Sequence, residues 1–434
     1  MHKHAVTRYG VVVILATICC HVYAANLDVA REALRSYFNA AVSGDTLMIN
    51  NTTTKEARGV ETIGLRAYYY AVYRQSTGEE LSAEYKILEE SEGPGYVKFL
   101  VSDPLLANHS RWFFLTFQDS SWRITAPYKI LCADYCHIET DHFVIYWSNK
   151  KSSISPHLDI RPSLLSLTKM EELYDRVSEL LRYEVPYKIE YYICPSVGDP
   201  DLFLHGLEGG KHQGHNSIDS RVCFAIHPYN AHVLTHAISI SAIQKKTPPH
   251  PISILREGLA TAFQWPDARI GHIPSVILVK NMLQEKSCPT LDSVICCYGS
   301  IPLEKNYPIS ATFVLFLLEM YGEDRFRSLW YNHPHDNPHA FIDYVETMYG
   351  RSITELEDEW KGWVNEEVEK LNVGIEYEYN QILTTNWQST ESEYFVVHHK
   401  ADEKPSAKIL GQTDSLYVNI NDRIGLNPLT RIDY

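Results

Sequence analysis

The chain has too few basic residues for a protein that binds nucleic acid through its charge. Its 434 residues include 39 lysines and arginines against 54 aspartates and glutamates, which gives a formal net charge of -15. A phosphate backbone requires a basic protein face. The charge balance therefore excludes nucleic acid as the expected partner.

Long apolar runs and low-complexity composition are missing as well. No stretch after residue 25 reaches the roughly 18 uninterrupted apolar residues of a membrane helix, so no transmembrane segment is expected there. The composition is 45% hydrophobic and 21% charged, which excludes a largely disordered or fibrous chain. At about 100–200 residues per domain, the length predicts two to four domains.

The first 25 residues have the pattern of a secretory signal peptide. A basic start is followed by an apolar run over 11–18, and residues 22–24 form a small-residue cleavage site. We therefore expect an exported protein, whether periplasmic, cell-surface or extracellular. The alternatives are an ordinary buried segment and a lipoprotein, and the second is disfavoured because the residue before Cys19 is not small.

Seven cysteines remain after the signal peptide, and an odd number leaves at least one without an intramolecular partner. Cys132 and Cys136, followed by His137, could suggest a metal site, but no second cysteine pair at a suitable spacing completes it. Because an exported protein permits disulfides, we expect a disulfide at one of these two cysteines instead.

Residues 26–127 predict a small α+β domain. Apolar residues recur with a helical period over 27–42, and a second helical stretch is expected over 65–73. Strand patterns separated by turns follow at 83–88, 96–101, 111–118 and 122–124. Helices followed by a curved antiparallel meander resemble the cone-shaped nuclear-transport-factor-two-like fold, an architectural resemblance that names no ligand.

Residues 135–371 have a different pattern, with strands in the front half and helices in the back half. The expected strands are 142–147, 187–194 and 221–226, and an amphipathic helix covers 170–181. The expected later helices are 231–244, 254–264, 273–285, 310–321, 324–330, 339–349 and 353–371. This order predicts an α+β fold class.

The segment that carries chemistry is His-Val-Leu-Thr-His at 232–236. On a helix, His232 and His236 project from one face, one turn apart, as a tetrahedral zinc site needs. Glu257 follows on the next predicted helix, and the three residues together form a His2Glu zinc set with one position open for water. The alternatives are solvated or core histidines that fall four apart by chance, and a surface charge at Glu257.

Residues 140–365 resemble the gluzincin metallopeptidases, specifically their peptidase MA-like domains. Those domains carry H-E-x-x-H and then E-G-L-A on the next helix, and the second motif stands here at 257–260. Later parts of the same pattern correspond to residues 307–314, 321–322 and 359–360. The match covers about half of the chain.

The resemblance implies that His232, His236 and Glu257 bind zinc. It also places Tyr307 where a tyrosine could hydrogen-bond an oxyanion, although a packing role is the alternative for this residue. A peptide or protein ligand is compatible with such a domain.

One position departs from the family pattern. Val233 stands where the family has the glutamate that takes a proton from zinc-bound water. Valine has no group that accepts a proton, and general acid–base catalysis contributes typically 10²–10⁴-fold, so hydrolysis by the usual route should fall at least that far. The sequence favours a degenerate pseudopeptidase with a binding or regulatory role.

Two other functions stay open at this point. An active zinc hydrolase could take its base from another residue, such as Asp267, or from the substrate. Alternatively, the domain binds no metal and serves as an interaction scaffold.

The C-terminal region resembles the start of the peptidase-like domain. Residues 173–191 align without gaps with 416–434, and residues 141–145 resemble 393–397. We therefore predict a linker over 372–387 and a partial second peptidase MA-like repeat over 388–434, which would make the chain a fragment or a truncated reading frame. Chance similarity between two amphipathic stretches is the alternative.

Overall fold

The computed structural model describes residues 27–59, 61–64, 70–71, 74, 85–102, 110–149, 161–207, 214–217, 221–243, 252–264, 268–270, 273–334, 337–384, 388–391, 395–399, 406, 410–411 and 432–433. These residues form an α+β protein, as predicted. They fall into two compact units, one ending at Lys361 and one beginning at Gly362. The predicted signal peptide lies outside the described residues.

The first unit begins with helices that are followed by a meander of strands. The helices are α1 at 27–43, α2 at Thr46–Thr52, α3 at Lys55–Arg58 and α4 at Glu61–Gly64. The strands are β1 at Lys86–Gly93, β2 at Tyr96–Ser102, β3 at Ser110–Gln118 and β4 at Ser121–Thr125. They pair antiparallel in the order β1-β2-β3-β4.

The predicted order of helices followed by an antiparallel meander is thus observed. Most of the helix expected over 65–73 lies outside the described residues. The likeness to the nuclear-transport-factor-two-like fold and the domain boundary at 127 stay predictions.

A five-stranded mixed sheet follows, in the order β5-β6-β7-β9-β8. Its strands are β5 at Cys136–Glu139, β6 at Phe143–Trp147, β7 at Ile189–Ile193, β8 at Gly214–Asn216 and β9 at Val222–Ala225. The inner strands β6, β7 and β9 run parallel, and the edge strands β5 and β8 run antiparallel to them. Every residue of β9 is buried, as expected for a parallel strand that is covered on both faces.

Three helices accompany this sheet: α5 at Pro127–Leu131, α6 at Leu164–Leu181 and α7 at Asp199–His205. The core of the sheet is continuous with that of the preceding module. The Tyr128 ring lies 5.3 Å from the Tyr192 ring and 5.4 Å from the Phe224 ring. The Trp112 backbone N–H also donates to the Gly206 carbonyl at 2.9 Å. The two parts therefore pack as one unit.

The described back half is helical, as predicted, apart from a small antiparallel hairpin. The two strands of this hairpin, β10 at Arg269–Ile270 and β11 at Ile273–Pro274, have two residues each. Its helices are α8 at Ala231–Ser241, α9 at Ser253–Ala262, α10 at Ser275–Gln284, α11 at Leu291–Cys296, α12 at Leu303–Tyr321, α13 at Glu323–Asn332, α14 at Pro338–Tyr349 and α15 at Ile353–Thr384. None of the described helices is long and apolar enough to cross a membrane.

Two helix boundaries differ from the sequence-based expectation. Helix α12 begins at Leu303 rather than at Ser310, and Pro308 lies inside it. A proline removes its own N–H bond and strains one turn. Pro308 and most of the residues that follow it up to Leu317 are buried, and this burial offsets that cost. Helix α15 continues to Thr384 through most of the predicted linker. That segment has one glycine and no proline, so no strong breaker stops the helix.

The second unit contains a three-stranded sheet in the order β12-β13-β14. Its strands are β12 at Gln388–Glu391, β13 at Phe395–His399 and β14 at Ile432–Asp433. Strand β12 pairs antiparallel with β13, and β13 pairs parallel with β14. Residues 416–424, which the sequence alignment matches with 173–181, lie outside the described residues.

The register of this sheet repeats that of β5, β6 and β7. Cys136 lies opposite Trp147 in the first unit. Gln388 lies opposite His399 in the second, so both partners are displaced by 252 positions (388 minus 136 and 399 minus 147).

The parallel pair repeats too. Phe143 lies opposite Ile189 in the first unit, and Phe395 lies opposite Ile432 in the second. These are residues that the sequence alignment matches with each other.

All seven described cysteines are free thiols. Cys132 is buried and Cys136 is half-buried, and neither forms the disulfide expected from the sequence. Burial is the main reason that the pKa of the Cys132 thiol is raised well above its usual range.

Candidate metal centre

Helix α8 carries the two histidines of the sequence motif. It begins at Ala231 because the Asn230 side chain caps it, with Asn230 Oδ1 accepting a hydrogen bond from the Val233 backbone N–H at 3.2 Å. Most of the helix is buried, whereas the side chains of His232 and His236 keep exposed fractions of 18% and 14%. The two histidines therefore lie on the one face that has some access to solvent.

Helix α9 carries Glu257, and a buried histidine holds its start. The Ile252 backbone N–H donates to His333 Nε2 at 3.2 Å, and His333 Nδ1 lies 2.8 Å from the Leu329 carbonyl oxygen. Because Nε2 accepts a hydrogen bond, the proton is on Nδ1, which donates to that carbonyl. His333 thus ties the end of α13 to the beginning of α9.

Glycine at position 258 allows α9 to approach α12 closely. A Cβ atom there would lie 2.5 Å from the Ser310 carbonyl oxygen and 2.7 Å from Val314 Cγ2. Both distances are shorter than real Cβ contacts allow. The glycine next to Glu257 is therefore a packing requirement of this helix pair.

We expect a Gly258→Val variant to lose about 1–3 kcal/mol of unfolding free energy, because overpacking forces one of the two helices to move. Urea denaturation measures this loss. Gly299→Val is the matched control, since a Cβ at Gly299 meets no atom within 4 Å and surface changes usually stay within about 0.5 kcal/mol. Equal stability of the two variants would contradict the packing explanation.

The structure brings the three predicted ligands together. His236 Nε2 lies 3.1 Å from His232 Nε2 and 3.1 Å from Glu257 Oε2. His232 Nε2 lies 3.4 Å from the same Glu257 oxygen. Within the described part of the chain, this is the only group of three or more His, Cys, Asp or Glu side chains with metal-binding geometry.

The donor set and its spacing fit zinc. Tetrahedral zinc takes histidine nitrogens and carboxylate oxygens at about 2.0–2.2 Å, which places neighbouring ligand atoms roughly 3.3–3.5 Å apart. The three distances measured here, 3.1, 3.1 and 3.4 Å, are close to that spacing. Three protein ligands on two helices leave the fourth position for water or another ligand.

The charges at the centre also suit a cation. Burial acts to raise the pKa of Glu257, but hydrogen bonds from both histidines and the Arg256 charge hold it well below its usual range. Burial lowers the pKa of His236 and outweighs the raising effect of Glu257. An ionised carboxylate and a neutral imidazole are the protonation states that bind zinc.

Val233 is the aliphatic residue that stands where the sequence resemblance implies a general base. Val233 is buried and packs against strand β8, where a Cβ at Gly214 would lie 2.4 Å from Val233 Cγ2. The Asn216 side chain also donates to the Val233 carbonyl at 2.9 Å. Asp267, the alternative base suggested by the sequence, lies outside the described residues.

Tyr307 lies beside the three donors. Its ring centre is 5.5 Å from that of His232. Burial raises the pKa of Tyr307, and the Glu257 charge raises it further, so the phenol stays protonated and available as a donor. This position is compatible with the oxyanion role that the sequence resemblance implies.

Arg256 is a residue at this site to which the sequence motif assigns no role. Its Nε donates to Glu257 Oε1 at 2.9 Å and leaves Oε2 facing the histidines. The only signal in the sequence is its place directly before the ligand glutamate. Such a position does not fix the direction of the side chain, so the contact becomes evident only in the fold.

Comparison with known proteins gives few matches. No protein-family model matches the chain, and no curated protein matches it. Two crystal structures of a mutant M1 zinc metallopeptidase from Deinococcus radiodurans are similar to it, one of them with a bound Tyr-Ser-Ala substrate. Their identities are 11% and 12%, and their TM-scores are 0.36 and 0.34. Each match covers 65% of this chain and 61% of the metallopeptidase, so the chain matches about three fifths of that protein's length.

Proposed function

We propose that His232, His236 and Glu257 bind one zinc ion and that the protein is an exported pseudopeptidase of the peptidase MA-like type. The observation that carries this proposal is a His2Glu donor set at tetrahedral spacing, with aliphatic Val233 in the place of the catalytic base. The protein then binds a peptide or protein ligand rather than cleaving it.

Each side chain at the centre has a stated role in this proposal. Zinc bound there supplies a Lewis acid. Tyr307 donates a hydrogen bond to a ligand oxygen, and Arg256 orients Glu257 through its Nε contact. Val233 can accept no proton from water, so the step that starts hydrolysis in active relatives lacks its base.

Two measurements on the purified chain test the proposal. Elemental analysis should find about one zinc per chain, removable by a chelator, as expected for a three-ligand site. Cleavage of a fluorogenic peptide library should stay at background with and without chelator. A chain without zinc would contradict the metal centre, whereas chelator-sensitive cleavage would contradict the pseudopeptidase.

We further propose that 388–434 is part of a second peptidase MA-like repeat. The support is the shared register: β12, β13 and β14 pair as β5, β6 and β7 do. In the parallel pair, β13 with β14, the paired residues Phe395 and Ile432 are those that the sequence alignment matches with Phe143 and Ile189. Export is a separate proposal that rests on residues 1–25. Intact mass of protein recovered from an exporting host should show removal of this segment.

A further inference from the structure

Arg256 retains most of its hydrogen-bonding capacity beside the proposed zinc centre. A guanidinium has five N–H donors in a fixed plane. Only the Nε donor is engaged, by Glu257 Oε1 at 2.9 Å, and within the described residues neither Nη group has a partner. The Arg256 side chain is 31% exposed, so the two Nη groups remain accessible.

The charge at this position favours an anion. Arg256 and Glu257 carry opposite charges that cancel, so a divalent cation on the three donors leaves a net positive centre. The centre is largely buried, where electrostatic attraction is stronger than in bulk water. A cationic or neutral ligand group therefore gains less binding free energy at this centre than an anionic group does.

We propose that Arg256 binds a carboxylate of the peptide ligand through its two Nη groups, next to the metal centre. The planar guanidinium matches a carboxylate in a two-pronged pair, which is the strong form of this interaction. The carboxylate comes from the peptide C-terminus or from an acidic side chain. This inference rests on the proposed zinc centre and adds the chemical class of its ligand.

A merely structural role for Arg256 makes a different prediction. Holding Glu257 in place needs only the Nε donor, and a glutamine can supply a similar amide N–H. An Arg256→Gln variant should therefore keep zinc in either case. Only if Arg256 binds the ligand should the same variant lose its preference for carboxylates.

The experiment uses the full chain. A zinc titration is first carried out on each variant, and the binding measurements are then made at a zinc concentration that saturates that variant. The probes are dansyl-Gly-Ala-Phe with a free C-terminus, its C-terminal amide, and dansyl-Gly-Glu-Phe amide, and affinity is read by fluorescence anisotropy. We expect at least one carboxylate probe to bind about 10-fold more tightly than the plain amide, since hydrogen bonds to charged groups are the stronger kind. Comparing the two carboxylate probes distinguishes a C-terminal from a side-chain source.

Arg256→Gln should bring all three affinities within about 2-fold of each other. Arg176→Gln is the matched control, because Arg176 is an exposed arginine that stacks on Phe263, with 4.9 Å from its guanidinium to the ring centre. That control should keep the carboxylate preference. The inference about Arg256 is wrong if the unmutated protein binds zinc but shows no preference for the carboxylate probes. It is also wrong if Arg256→Gln keeps that preference. The proposed metal centre is unaffected by either outcome. If the unmutated protein binds no zinc, both the proposed metal centre and the inference about Arg256 are wrong.

Discussion

Replacing His236 by alanine is expected to remove zinc from the purified chain. His236 Nε2 is the donor nearest to both others, at 3.1 Å from His232 Nε2 and 3.1 Å from Glu257 Oε2. Mutation of an outer partner of a metal ligand already costs about 10–100-fold in affinity, so loss of a ligand should cost at least ~100-fold. Competition with a chromophoric chelator measures this change.

Thermal unfolding gives a second readout of the same variant. A metal that binds only the folded state stabilises it by RT ln(1 + [L]/Kd), or about 2.7 kcal/mol at 100 times Kd. Added zinc should therefore raise the melting temperature of the unmutated chain and leave that of His236→Ala unchanged. His227→Ala is the control, since the His227 side chain is exposed and the hydrogen bond that His227 accepts from the Tyr191 hydroxyl uses its backbone carbonyl. Zinc retention by His236→Ala would refute the ligand assignment.

The parts of the site that could be predicted from the sequence are those set by local spacing. Two histidines four residues apart on a helix must share a face. Asn230, directly before the apolar run of α8, is also a recognisable helix start. The placement of Glu257 needed one further assumption, that the chain reverses between the helices, and the short distances between the donors agree with it.

The contacts that could not be predicted join residues far apart in the chain. His333 accepts from Ile252 across 81 positions, and no local pattern marks a histidine for that role. The fit of Val233 against Gly214 likewise depends on where β8 lies beside α8. Sequence periodicity identifies which side chains are buried, but it does not say what they meet.

The same distinction applies to the fold. Strands with strong alternation or apolar runs, such as β2, β7 and β9, lie within about two residues of their expected bounds. Helix ends were harder to place. Helix α12 begins seven residues before the expected Ser310 and includes Pro308, and helix α15 continues beyond its expected end at residue 371. At Pro308, which is buried, packing outweighs local propensity.

If the protein is a pseudopeptidase as proposed, introducing a glutamate at position 233 is expected to produce chelator-sensitive peptide hydrolysis above the level of the unmutated chain. Val233 lies one residue after His232 on α8, where the metallopeptidase motif that this sequence resembles has its base. The Tyr307 ring lies 5.5 Å from the His232 ring, where we propose that it donates a hydrogen bond. A restored general base should raise the rate roughly 10²–10⁴-fold over the unmutated chain. Fluorogenic peptides measure that increase.

Val233→Gln is the control that separates the base from the shape of the side chain. Glutamine has the size and polarity of glutamate but accepts no proton from water at neutral pH, so its rate should stay at the background of the unmutated chain. Both variants must also displace the contact between Val233 and Gly214, so any packing cost is shared and cancels in the comparison. Equal rates of peptide hydrolysis by Val233→Glu and Val233→Gln would show that a missing base does not explain the low activity expected of the unmutated chain. A difference of roughly 10²-fold or more would show that one side chain separates a binding domain from a peptidase.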